Sequence, residues 1–225
     1  MSMYFGLKFL SKEDRARTID GLLRLRKQLS SQIPARSMKD SLMLATWNIR
    51  DFGSSKLNPS PRSKESLYYI AEIMSAFDLV AVQEVNNNMK PFLEVMQILG
   101  RTWDYIATDV TERSSGNGER MAFVFDKAKV SFRNIAGEIV LPKKALIGEA
   151  EQEQFARTPF LVKFQSGWCQ FTLNTVHLYY GADTGEKLER RVKEIDKIAE
   201  FLAARRARRR KLYSLGRYEH RQPGR

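Results

Sequence analysis

Cysteine, histidine and long apolar runs are the scarce features of this 225-residue sequence. Its one cysteine, Cys169, excludes an internal disulfide and fits a reducing compartment, so we expect a cytoplasmic protein. No stretch approaches the roughly 18 apolar residues of a membrane span, and the N-terminal residues lack the apolar core of a signal peptide. With 43% hydrophobic and 28% charged residues, the composition is that of a globular domain.

Positive charge is abundant, with a formal net charge of +12, but it is concentrated at one end. Residues 205–225 contain nine Lys or Arg and one Glu, a net +8, and the remaining 204 residues carry +4. Because such a stretch attracts polyanions, one hypothesis is a non-catalytic nucleic-acid-binding protein that uses this basic tail. It predicts salt-sensitive binding that disappears when residues 205–225 are deleted.

Apolar periodicity divides the chain into three segments. Residues 1–40 predict an N-terminal helical extension that Ser11 caps and Pro34 ends, with one apolar side formed by Ile19, Leu22, Leu23, Leu25 and Leu29. Residues 41–204 predict a domain in which strands and helices alternate, and residues 205–225 are the basic tail. The predicted strands are 42–49, 79–85, 103–109, 121–126, 158–164 and 169–178.

This order of elements predicts an α/β fold in which sheets are sandwiched between outer helices. The last helix of the domain is expected to reach about residue 204. Its apolar face is predicted to pack on the domain and consists of Leu188, Val192, Ile195, Ala199 and Leu202.

Five polar side chains lie where predicted strands begin or end, which is where a layered α/β protein keeps its functional site. The residues are Asn48, Glu84, Glu119, Arg157 and His177. Each also has an ordinary explanation: Asn48 as a turn residue, Glu84 as a solvated acid, Glu119 as part of a surface ion pair with Arg120, Arg157 as the edge of a strand, and His177 as a hydrogen-bonded structural residue.

Taken together and in order, these motifs resemble the endonuclease/exonuclease/phosphatase superfamily, and most closely its DNase I-like branch. The motifs are WN, QE, ER, R-x-P-x-x-V and an apolar run that ends in HL, within roughly residues 42–204. The resemblance implies a partial four-layer α/β sandwich and a divalent-metal-dependent phosphoesterase, a nuclease in the first instance. A phosphatase of inositol phosphates or lipids is the alternative within the superfamily.

The resemblance also implies roles for the five residues. Glu84 would anchor Mg²⁺ or Mn²⁺, since Mg²⁺ needs only one or two protein carboxylates, and Asn48 beside it would help to hold the metal or the phosphate. His177, oriented by Glu119, would donate a hydrogen bond or a proton to the phosphate, and Arg157 would add a fixed positive charge. Nucleic acid or another phosphodiester is the implied substrate.

Two motifs of the superfamily do not follow His177 in this sequence, namely Gly-Asp-x-Asn and Ser-Asp-His. We therefore expect an incomplete, C-terminally truncated domain with an open sheet edge, and an inactive or impaired enzyme. Back-translation of residues 213–222 from the second base of each codon permits Ile-Leu-Leu-Gly-Asp-Met-Asn-Ile-Val-Ser, so a frameshift is the predicted origin of the tail. It requires the codons GGG for Gly216 and CGA for Arg217.

Overall fold

The computed structural model describes residues 3–53, 61–109, 118–147, 153–179 and 183–218, with side chains only as far as Arg205 in the last range. The chain divides into two compact units, a first unit of residues 1–139 and 160–177 and a second unit of residues 140–159 and 178–225. The helices are α1 (Lys12–Gln32), α2 (Lys64–Ser75), α3 (Lys90–Leu99) and α4 (Gly185–Tyr218). The strands are β1 (Leu44–Phe52), β2 (Leu79–Asn86), β3 (Trp103–Ala107), β4 (Glu119–Asp126), β5 (Val130–Glu138), β6 (Phe160–Ser166) and β7 (Cys169–Thr175).

The first unit contains two sheets, so the predicted mixed α/β class is confirmed. The first sheet has the strand order β1-β2-β4-β3 and the second has β5-β6-β7. Strands β1 and β2 pair in parallel, and the other neighbours are antiparallel. One core lies between the first sheet and helices α2 and α3, and another lies between the two sheets. The first unit therefore has three layers.

Alternation along β2 shows how one strand serves both cores. Val80 and Val82 lie in the core on the helix side, whereas Leu79 and Ala81 lie in the core between the sheets. Both faces are buried, which explains why the sequence reads as a continuous apolar run rather than an alternating one. Strand β5 has no sequence prediction, because most of its residues are exposed and few are apolar.

Helix α1 begins as predicted, since the Ser11 hydroxyl accepts a hydrogen bond from the Asp14 N–H. Its predicted apolar side is only partly correct, because Ile19 and Leu23 are exposed while Leu22 is buried against Leu7 and Tyr68. The buried line of α1 instead runs through Thr18, Gly21 and Leu22. Small residues on this line let the helix approach α2 closely.

Helix α4 corrects two predictions. Val192, Ile195 and Leu202, which were expected to pack on the domain, are exposed, and the buried residues are Glu194 and Ile198. The cause is the Glu194 carboxylate, which accepts hydrogen bonds from the backbone N–H groups of Ala156 and Tyr179 within the second unit. These bonds place Glu194 on the buried side of the helix, next to Ile198.

The second correction concerns where α4 ends. The helix continues past residue 204 to Tyr218, in keeping with the strong helix propensity of Ala, Arg, Lys and Leu. Residues 219–225 lie outside the described ranges. The frameshifted origin of the tail stays a prediction, and so do the three predicted segment boundaries. Among the helices in the described ranges, none is long and apolar enough to cross a membrane.

Candidate active site at the ends of β1, β2, β4 and β7

Strand β2 departs from regular pairing at its C-terminal end. Val82 pairs with Ala122 of β4, but Val85 pairs with Arg120, so two residues of β2 lie opposite the single residue Met121. On the other side, the pairing between β1 and β2 shifts after Asn48. The extra residue of β2 opposite Met121 forms a β-bulge, a feature that redirects side chains next to functional sites.

Glu84 is the inserted residue of the bulge. Its φ is +62°, a left-handed conformation that costs a non-glycine residue free energy. Val80, Val82 and Val85 all belong to the helix-side core, so the alternation of β2 changes phase between Val82 and Val85. Without the bulge, residue 84 would lie on the same face as Val80 and Val82. The bulge therefore removes the carboxylate from an apolar core and directs it to the end of the sheet.

Two neutral groups from β1 hold the Glu84 carboxylate. Asn48 Nδ2 donates to Oε1 across 2.6 Å, and the backbone N–H of Asp51 donates to Oε2 across 2.8 Å. The Asn48 side-chain oxygen accepts from the backbone N–H of Arg50. Arg50 and Asp51 also have positive φ, of 53° and 52°. This left-handed backbone at the end of β1 accompanies the two hydrogen bonds that Asn48 and Asp51 donate to Glu84.

His177 lies between two carboxylates. Its Nε2 is 3.5 Å from Glu84 Oε1, and its Nδ1 is 3.1 Å from Glu119 Oε2. The Nδ1 contact is close enough for an ion pair but is not aligned as a hydrogen bond. All three side chains are largely buried, with 12 to 17% of each exposed. The imidazole is thus held at a partly desolvated position where it can bind or transfer a proton.

Four of the five predicted site residues therefore converge in the first unit, namely Asn48, Glu84, Glu119 and His177. Arg157 belongs to the second unit, where it lies in the loop before β6, and its role at this site stays a prediction. The neighbouring Arg120 donates to the backbone oxygens of Asn86 and Asn87, which is a structural role.

Sequence reasoning missed residues that support the cluster. Asn86 Nδ2 donates to Asp51 Oδ1 across 2.6 Å, and Gln83 Nε2 donates to Thr175 Oγ1 across 2.8 Å. Asp51 is the second residue after the predicted first strand, so its position was a usable signal. The contact between Gln83 and Thr175 joins positions 92 apart in sequence and has no local signal.

The described ranges contain no group of three or more His, Cys, Asp or Glu side chains placed to hold a metal ion. The chemistry of Glu84 nevertheless fits a hard divalent cation. Each of its oxygens accepts one N–H from a neutral donor and retains a second lone pair. A single carboxylate suffices for Mg²⁺, which keeps most of its waters. Asn48 directs its amide nitrogen to Glu84, so in this arrangement it orients the carboxylate.

Two deoxyribonucleases are similar to this chain in sequence, although no family model matches it. A deoxyribonuclease of Thioalkalivibrio sp. (strain K90mix) is 30% identical over 176 residues, which cover 75% of this chain and 42% of that protein. Deoxyribonuclease-1 of Canis lupus familiaris is 29% identical over 134 residues, which cover 56% of this chain and 43% of that protein. The chain thus spans about two fifths of the length of these relatives.

Solved structures show weaker similarity. The human Nocturnin catalytic domain with bound sulfate aligns with a TM-score of 0.41 and 15% identity, covering 59% of this chain and 48% of that one. ANGEL2, a 2',3'-cyclic phosphatase, aligns with a TM-score of 0.45 and 14% identity, covering 70% of this chain and 48% of that one.

Proposed function

Because this chain is related to the DNase I-like endonucleases, exonucleases and phosphatases, we propose that it is by descent a divalent-metal-dependent nuclease that cleaves phosphodiester bonds. The observation that supports this most is the contact of His177 with both Glu84 and Glu119 at the bulged end of the first sheet. A carboxylate with two remaining lone pairs can hold a cation and the imidazole beside it can donate a proton, and phosphodiester hydrolysis can use both groups.

Each residue of the cluster has a distinct task in this proposal. Glu84 holds the divalent cation, which when bound neutralises charge on the phosphate. Asn48 keeps the Glu84 carboxylate oriented through its 2.6 Å hydrogen bond. His177 donates a hydrogen bond or a proton to a phosphate oxygen, and Glu119 fixes the ring from its opposite nitrogen.

DNA is the substrate that we propose first, since both similar proteins are named deoxyribonucleases. Arg157 would contribute positive charge toward the phosphodiester. The Asp-x-Asn and Ser-Asp-His motifs do not follow His177 in these 225 residues. We therefore expect the 225-residue chain to cleave slowly, because these motifs would supply the general base, which contributes about 10²- to 10⁴-fold.

The test is cleavage of supercoiled plasmid DNA and of bis-p-nitrophenyl phosphate in the presence of Mg²⁺ or Mn²⁺, with EDTA as the metal-free control. The informative variants are Glu84→Gln and His177→Gln. Glu186→Gln is the matched control, because Glu186 is an exposed acid in the first turn of α4.

We expect slow, EDTA-sensitive cleavage by the parent chain and the Glu186→Gln variant, and at least about a hundredfold less by the other two variants. Cleavage that survives Glu84→Gln and His177→Gln would contradict the assignment of the site. Turnover as fast as that of a full-length deoxyribonuclease would contradict the expected impairment. Loss of all DNA binding on deletion of residues 205–225, without cleavage in any sample, would support the nucleic-acid-binding alternative instead.

A further inference from the structure

A buried hydrogen bond joins the two sheets directly next to the candidate site. Gln83 Nε2 donates to Thr175 Oγ1 across 2.8 Å, and both residues are about 5% exposed. Gln83 immediately precedes Glu84, and Thr175 lies two residues before His177. One bond therefore connects the strand that carries the carboxylate to the strand that carries the histidine.

The surroundings of this bond are apolar. On the same face of β2 as Gln83, Ala81 belongs to the core between the sheets. On the same face of β7 as Thr175, Leu173 packs against that core. A second contact, from Gln83 Nε2 to Thr46 Oγ1 at 3.1 Å, fixes the orientation of the amide. In a low-dielectric environment such bonds are strong, and a lost partner is costly, so the Gln83 amide defines one position for Thr175.

His177 depends on this position because the strand ladder ends before it. The last pair between β6 and β7 joins Phe160 to Thr175. Residues 176–179 are described but form no strand. In the strand order of the second sheet, β7 is an edge strand among the described residues. The side-chain bond at Thr175 is thus the anchor that precedes the imidazole on this segment, and the next anchor after it is the Tyr179 N–H, which donates to Glu194.

We propose that Gln83 and Thr175 are positioning residues, whose hydrogen bond sets the placement of the His177 imidazole against Glu84 and Glu119. The catalytic significance of this inference rests on the proposed phosphodiesterase function, but the positioning itself does not. A displacement of the imidazole by about 1 Å costs about tenfold to a hundredfold in rate.

The direct readout is the NMR spectrum of the imidazole nitrogens in protein labelled with ¹⁵N-histidine. The sequence contains two histidines, so a His220→Gln variant assigns the His177 signals. Thr175→Val removes the hydroxyl with little change of volume, Thr175→Ser retains it, and Gln83→Met removes the amide from the other side. Thr172→Val is the matched control, because the Thr172 hydroxyl on the same strand has no hydrogen-bond partner among the described residues.

We expect the His177 ring signals to shift and broaden in Thr175→Val and Gln83→Met, and to stay at their parent positions in Thr175→Ser and Thr172→Val. Circular dichroism establishes that each variant is folded, and Gln83→Met decides the question if Thr175→Val does not fold. Parent-like signals in the folded Gln83→Met variant, or equal changes in Thr172→Val and Thr175→Val, would overturn the inference.

Cleavage of plasmid DNA with Mg²⁺ supplies the second readout. Thr175→Val should cleave about tenfold to a hundredfold more slowly than the parent chain, with an unchanged KM, and Thr175→Ser should recover the rate. If the parent chain cleaves neither DNA nor bis-p-nitrophenyl phosphate, the proposed function fails. The NMR comparison would still decide whether Gln83 and Thr175 position the histidine.

Discussion

Glu84 combines a strained backbone with the central polar side chain of the cluster. Its φ of +62° belongs to the left-handed region, which costs an ordinary L-residue about 1 kcal/mol or more. Arg50 and Asp51 on the neighbouring strand share this conformation. Strain of this kind persists where the surrounding structure enforces it, and it concentrates at functional sites.

The strain at Glu84 can be measured by comparing two small substitutions. Glu84→Gly should be more stable than Glu84→Ala by about 1 kcal/mol, because glycine adopts positive φ without a steric penalty. Urea unfolding of the two variants measures this difference. Lys163 lies in the regular pairing of β6 and β7 and serves as the control position. There we expect the opposite order, with glycine less stable than alanine by about 0.5–1 kcal/mol. The same order at both positions would contradict the argument from strain.

At the scale of elements, one glycine allows α1 to approach α2 closely. A Cβ atom at Gly21 would overlap the Tyr69 hydroxyl and lie 2.7 Å from Tyr69 Cζ. Tyr69 in turn donates to Glu65, within α2. Gly21 therefore lowers the intrinsic helix propensity of α1 but allows α1 to approach α2 closely.

Gly21→Ala tests this packing against propensity. Alanine favours a helix interior by about 1 kcal/mol, whereas overpacking costs about 1–3 kcal/mol, so we expect a net loss of roughly 1 kcal/mol. Adding Tyr69→Phe removes the overlapping hydroxyl, and the double variant should recover stability beyond the sum of the two single changes. Additive effects in thermal unfolding would show that Gly21 and Tyr69 are not coupled.

The segment between α1 and β1 is fastened to the first sheet by charged groups. Asp78 is completely buried and contacts Arg36 at 2.7 Å and Lys129 at 2.9 Å. Arg36 also contacts Asp126 at 2.6 Å, and the Met43 N–H donates to Asp78. Burial alone would raise the pKa of Asp78, but the Met43 hydrogen bond and the two cations together outweigh burial and lower this pKa below its usual value.

Because of this lowered pKa of Asp78, the free energy of unfolding is expected to depend on pH in the acid range. A carboxyl whose pKa is lower in the folded than in the unfolded chain stabilises the fold above the unfolded value of about 4. That contribution is lost as the pH falls through the lower, folded pKa. Urea unfolding from pH 7 downward should show this loss below about pH 4 in the parent chain. The Asp78→Asn variant should start less stable by about 3 kcal/mol or more and show a shallower decline. An equally steep decline in Asp78→Asn would assign the acid sensitivity to other groups.

Local patterns predicted most elements of this fold, because apolar periodicity and caps act over a few residues. The bulge at Glu84 was not predictable, since it depends on two neighbouring strands that are distant in sequence. The packing face of α4 was predicted wrongly for a related reason. Hydrophobicity favoured Val192 and Ile195, but two backbone N–H groups from elsewhere in the second unit bind Glu194. In the site, residue types and order predicted that Asn48, Glu84, Glu119 and His177 lie together, and tertiary contacts determined how they are held.

At the scale of the whole molecule, exposed apolar surface is the main consequence of this arrangement. On α4, Val192, Ile195 and Leu202 are 42 to 46% exposed and recur at intervals of three and seven residues, which places them on one side of the helix. Both sheets also have unpaired outer strands among the described residues. Surfaces and edges of this kind promote association.

We therefore expect the purified 225-residue chain to self-associate. The double variant Val192→Lys, Ile195→Lys should shift it toward the monomer in size-exclusion chromatography with light scattering. Gln28→Lys with Gln32→Lys is the matched control, because it adds the same charge at exposed polar positions of α1. A monodisperse parent chain with a cooperative thermal transition would contradict the expectation, and equal improvement by both pairs would attribute the effect to net charge.

The bulge in β2 also constrains how such a strand can change by mutation. In an uninterrupted strand, residue 84 would belong to the helix-side core with Val80 and Val82. An acid could not be introduced there by replacing one amino acid without burying its charge. Gaining the carboxylate by this route requires the insertion of one codon, and deleting that codon would restore regular pairing with β4. Deletion of Glu84 should therefore be tolerated by the fold better than deletion of Val82, although either removes a single residue from the same strand.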